Sequence, residues 1–71
     1  MPQITISNAL GHTVTMSGEY NDLVSYLMHM RLLVTIAEQR YRELEAYTMA
    51  ERANQDWELL YNAINELREN Q

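Results

Sequence analysis

The stretch Leu23-Val-Ser-Tyr-Leu-Met-His-Met-Arg-Leu-Leu-Val-Thr-Ile-Ala37 decides the fold. Only Ser25, His29, Arg31 and Thr35 interrupt its apolar run, and it contains neither Gly nor Pro. It is too long for a typical strand. Leu23, Leu27, Met30, Val34 and Ala37 recur at the 4-3-4-3 spacing of a helical stripe. Tyr26, Met28, Leu32, Leu33 and Ile36 fall outside that stripe. A helix that is apolar around most of its circumference needs cover on more than one side. A short chain has little of its own material for this. The expectation is a homodimer or other small oligomer packed through this helix, with Leu27, Met30, Leu33 and Val34 near the contact.

The size of the chain supports that expectation. Its 71 residues suit a single domain over 1–71. A domain of this size buries only about 60% of its unfolded surface. Cysteine is absent, which excludes disulfides and Cys-based zinc sites. Small scaffolds without such staples usually gain stability from a partner. The lack of cysteine is compatible with the cytoplasm, where the chain is expected to act. Residues 2 to 8 are polar and strand-like, so no signal peptide is expected. The 23–37 run is too short and too interrupted to span a membrane.

Working outward toward the N-terminus, Gln3 to Met16 reads as a β-hairpin. Ile4 and Ile6 alternate with Thr5 and Ser7, and Val14 and Met16 alternate with Thr13 and Thr15. Apolar side chains must share a face, so Ile6 belongs opposite Val14 and Ile4 opposite Met16. That register sets Asn8 opposite His12 and leaves Ala9-Leu10-Gly11 as the loop. Such a three-residue loop needs a left-handed third residue, which Gly11 supplies. The hairpin is expected to lie on the 23–37 helix, with both of its edges open. Ser17 or Asn21 is the expected helix cap.

Toward the C-terminus, no Gly or Pro occurs from Glu19 to Gln71. The first stripe continues through Tyr41 and Leu44, after which its positions become polar. A new stripe runs Ala53, Trp57, Leu60, Ile64 and Leu67. At 100° per residue it is rotated by roughly 130° from the first. A bend between Thr48 and Asp56 would let the two faces meet. Thr48-Met-Ala-Glu51 matches a capping box, and Asn54 is a second candidate cap. The expected architecture is α+β and mostly α: a hairpin over 3–16, helix 1 over 19–47 and helix 2 over 49–70. Between the stripes, Glu38–Arg42 and Arg42–Glu45 are spaced for helical ion pairs.

Little in the chain points to catalysis. His12 and His29 are the only imidazoles, and nothing places them together. Met28-His29-Met30 cannot converge on one ion, because adjacent helical residues diverge by about 100°. No Cys or Lys nucleophile, Gly-rich phosphate loop or recognisable Ser-His-acid setting is present. No catalytic, metal or cofactor residue is therefore expected, and the chain is read as a non-enzyme.

The charge pattern points instead to binding. The net charge is −5, which opposes direct contact with nucleic acid. All five basic residues are Arg and none is Lys; the aromatics are five Tyr and one Trp with no Phe, and there are five Met. Arg, Tyr, Trp and Met are enriched at protein interfaces, and Lys is depleted there. Glu51, Gln55, Glu58, Asn62, Glu66 and Glu69 form an Arg-free face opposite the second stripe. The expected partner-binding residues are Glu51, Glu58, Tyr61, Glu66 and Glu69, docking on a basic surface of a larger protein. By size and charge alone, phage accessory proteins, antitoxins and secretion chaperones are the nearest analogy for such an inhibitor or adaptor. The alternative is a dimeric nucleic-acid-binding transcriptional regulator, whose only basic cluster would be Arg40, Arg42 and Arg52.

Overall fold

A computed structural model describes residues 2–69. Strand β1, Gln3–Ser7, pairs antiparallel with β2, Thr13–Ser17. Two helices follow, α1 over Tyr20–Glu43 and α2 over Tyr47–Glu69. The protein is thus a two-stranded hairpin followed by a helical hairpin, mostly helical. The last residue of the expected second helix, Asn70, lies outside the described residues.

The register is the one the alternation requires: Ile4 faces Met16 and Ile6 faces Val14. On the outer face the Thr5 and Thr15 hydroxyls are 2.8 Å apart and hydrogen-bonded. Asn8 organises the turn. Its carbonyl accepts from the Gly11 N–H at 3.0 Å, and its own N–H donates to the His12 carbonyl at 2.9 Å. Its side-chain Oδ1 accepts from the N–H groups of Leu10 and His12, each at 3.0 Å. Gly11 sits at φ +85°, where a side chain would be strained.

Helix α1 starts without a side-chain cap. Its N-cap is Glu19, with extended backbone and no capping bond, so neither Ser17 nor Asn21 serves. The helix ends earlier than expected, at Glu43, and the bend lies at 44–46 rather than between Thr48 and Asp56. Glu45 turns left-handed, with φ 58°. Its N–H donates to the Arg42 carbonyl at 3.1 Å, and the Ala46 N–H donates to the Tyr41 carbonyl at 2.8 Å. These are the paired 5→2 and 6→1 bonds of a Schellman motif, which satisfies carbonyls that a helix end would leave open. The position that usually holds Gly here holds Glu. Leu44 is thrown outward to 75% exposure instead of continuing the apolar stripe. Thr48 and Asn54 lie inside α2 and cap nothing, and α2 takes its first bond from the Ala50 N–H to the Ala46 carbonyl.

The reversal folds the two stripes onto each other. Leu23 and Leu27 of α1 meet Leu60, Ala63, Ile64 and Leu67 of α2, with Ile4 of β1 completing the core. Near the turn α2 buries Ala50 and Ala53, whose small side chains let the helices approach. The hairpin does not lie on α1 alone, as expected. It seats β1 mainly against α2, over the groove between the helices. Only Ile4 of the hairpin is fully buried; Ile6 and Met16 are half-buried, and Val14 is 52% exposed. Strand β2 therefore overhangs an open, mainly apolar cleft of about 340 Å³ lined by Val14, Met30, Val34 and Leu60 among others.

The body measures 42 × 20 × 16 Å between Cα atoms. Helix Cα atoms lie about 2.3 Å from their axis and packed axes about 8–10 Å apart, so the short dimensions hold two helices with the hairpin beside them and little more. Each helix consequently keeps a long face that none of the other described residues covers.

Candidate interaction surfaces

The α2 backbone carries the acidic strip as its period demands. Glu51, Gln55, Glu58, Asn62, Glu66 and Glu69 are all exposed, while Ala53, Leu60, Ile64 and Leu67 are buried. Glu51 to Glu69 spans about 27 Å at 1.5 Å per residue. Among the described residues none of these carboxylates is paired with a cation; the one ion pair joins Arg42 to Glu38 at 2.8 Å. That pair is the expected i,i+4 contact, and the Arg42 Nε adds a second bond at 3.0 Å. The expected Arg42–Glu45 pair is not formed, because Glu45 has left the helix.

Tyr61 borders the strip and is 43% exposed. Its ring stacks on Trp57, with centroids 5.3 Å apart and planes 8° from parallel. Trp57 is half-buried rather than a full member of the core stripe; Ala63 is buried in the α2 face instead. Arg31 reaches across from α1, its guanidinium carbon 5.6 Å from the Trp57 centroid and 5.9 Å from that of Tyr61. Cation–π attraction and stacking together hold Tyr61 in a fixed pose beside the carboxylates. Arg31 interrupts an apolar run in the sequence, and its role emerges only when the two helices meet.

The residues expected between copies are divided by the structure. Leu27 is 0% exposed and lies inside the chain's own core, so it cannot reach a second copy. Met30 and Val34 pack against that core and line the cleft under β2. Leu33 alone of the four stands on the outer face of α1, at 49% exposure.

Asp56 has a structural role that its position in the sequence does not announce. One of its carboxylate oxygens accepts from the Ala9 N–H at 2.6 Å, tying the hairpin loop to α2. Hydrogen bonds to charged acceptors are the stronger class. His12 and His29 stand apart, on the hairpin loop and on the outer face of α1, and both are exposed. Among the described residues no three His, Asp or Glu side chains converge as a metal site. The Arg40, Arg42 and Arg52 set is partly engaged, Arg42 by Glu38 and Arg52 by a 4.0 Å contact to the Met49 sulfur. No described helix is long and apolar enough to cross a membrane. No family model, curated protein or solved structure matches the chain.

Proposed function

We propose that the chain is a non-catalytic binding module, an inhibitor or adaptor acting in the cytoplasm on a larger protein. It docks Glu51, Glu58, Glu66 and Glu69 against a basic surface, with Tyr61 as the aromatic anchor. The observation that carries this reading is the juxtaposition on α2 of unpaired, exposed carboxylates with a Tyr ring fixed by Trp57 and Arg31. A positioned ring loses little conformational freedom on binding, and aromatic anchors dominate interface energetics. The carboxylates supply long-range attraction and orientation.

The two roles are separable by experiment. The wild-type chain and a Glu58→Arg/Glu66→Arg variant are used to capture proteins from lysate of the native host. Any protein held by the wild type alone is then purified and its binding kinetics measured. Reversal of rim charge should slow association at low salt by about tenfold or more, since mutants of one interface span roughly one to three decades in on-rate. Tyr61→Ala should leave the on-rate nearly unchanged and speed dissociation. An unchanged on-rate and salt dependence in the charge-reversed protein would show that the strip is only a solvated face.

A further inference from the structure

The outer face of α1 carries a second, unsatisfied seam. Asp22, Tyr26, His29, Leu33, Ile36 and Arg40 follow one another at 4-3-4-3-4 spacing, the a/d repeat of a coiled coil. The seam is rotated by roughly 100° from the stripe that α1 buries in its own core. All six residues are exposed, with Tyr26 at 51%, Leu33 at 49% and Ile36 at 48%. Leu32 beside the seam is also exposed. Exposed apolar side chains gathered on one face, here Tyr26, Leu32, Leu33 and Ile36, mark interaction sites.

The ends of the seam identify what covers it. Asp22 closes the N-terminal end and Arg40 the C-terminal end. Two α1 helices laid antiparallel bring Asp22 against Arg40 of the other copy, and Arg40 against Asp22. The same register sets Tyr26 against Ile36 and His29 against Leu33, each pair symmetric about residue 31. Every layer then joins an a position to a d position, as antiparallel packing needs. One face carrying both halves of its own complement is the mark of a two-fold, isologous contact. Parallel helices would instead face Asp22 with Asp22 and Arg40 with Arg40. The antiparallel register does place Glu19 near Glu43, but beyond the last apolar layer, where both are exposed and water and salt screen them.

We infer that this face is occupied by a second copy of the chain, packed antiparallel through Tyr26, His29, Leu33 and Ile36 and locked at both ends by Asp22–Arg40 pairs. The surface lies on α1 and the acidic strip on α2, so each stands or falls without the other.

The chain has no cysteine, so introduced thiols report without background. Tyr26→Cys and Ile36→Cys variants, both at exposed positions, are oxidised mildly, alone and mixed. The mixture should give a cross-linked dimer many times faster than either variant alone. By sedimentation the wild type should be a dimer at micromolar concentration. Asp22→Arg should weaken the dimer by about tenfold or more, since it sets like charges face to face at both ends of the seam. Adding Arg40→Asp should restore it. Circular dichroism on each variant separates loss of assembly from loss of fold. A monomeric wild type overturns the inference, as it would if the natural occupant were a helix of another protein. Preferential self-cross-linking of Tyr26→Cys, or a charge swap that fails to restore the dimer, overturns it equally.

Discussion

Glu45 makes the reversal between the helices testable by the sign of a single substitution. A left-handed residue bearing a Cβ costs about 1–2 kcal/mol relative to a right-handed one. Glu45, at φ 58°, carries that cost in the folded state. Glu45→Gly removes it. The substitution also frees the unfolded chain, which offsets about 0.4–1 kcal/mol. Removing an acidic group from a helix C-terminus returns a few tenths of a kcal/mol. The net is a gain of about 1 kcal/mol. For a domain of this size that corresponds to a rise in Tm of roughly 4–8 °C. Had the helix run on through residue 45, with the bend at Thr48–Asp56, the sign would be opposite. Gly in a helix interior costs up to about 1 kcal/mol. Thermal unfolding followed by circular dichroism at fixed protein concentration reads the difference. Glu45→Ala is the control, since it removes the charge but keeps the Cβ, and it should shift Tm little. A fall in Tm for Glu45→Gly refutes the left-handed cap. An equal rise in both variants would trace the gain to charge rather than backbone.

Two further substitutions probe the hairpin and its attachment. Gly11→Val should cost about 1 kcal/mol or more from backbone strain alone, because an added Cβ meets nothing within 4 Å; unchanged thermal stability would rule out the positive φ. Asp56→Ala strips the Ala9 N–H of its acceptor and should cost about 1.5–3 kcal/mol, the range for bonds to charged groups; a denaturant midpoint equal to wild type would show that water replaces the carboxylate without loss.

The hairpin was legible because two independent signals coincide there. The period-2 pattern of Ile4, Ile6, Val14 and Met16 and the turn chemistry of Asn8 and Gly11 each demand the same register. The helical hairpin was legible from the phase jump between the two apolar stripes. Its exact joint was not. Glu45 is a good helix former by propensity and nothing local marks it for a left-handed turn. Leu44 fits the apolar stripe by spacing yet ends in solvent. Thr48 and Asn54 show that cap-like residues do not end a helix when its neighbours favour continuation. The acidic strip needed only the helical period to be placed. Its aromatic border depends on Arg31 meeting Trp57 across two helices, a contact between residues distant in the chain that no pattern displays. The face of α1 used by Leu27 and that used by Leu33 were merged in the sequence, because only the folded chain reveals which of them α2 already covers.

The joint between hairpin and helices has a kinetic consequence. Each hairpin closes locally, the β-hairpin through a three-residue loop and the helices through the turn at 44–46. Their union instead spans the chain: Ala9 and Asp56 are separated by 47 positions. Isolated β-hairpins form in about 1–10 μs and helices faster, whereas distant contacts must first meet the entropy of closing a long loop. Docking of β1 on α2 is thus the natural last event. Interactions absent from the transition state act on unfolding rather than folding. In a chevron, Asp56→Ala should steepen the loss of native protein through a faster unfolding limb while leaving the refolding limb near wild type. The bond from Asp56 to the hairpin loop would then serve less as a cause of folding than as a latch, setting how long the finished molecule stays shut.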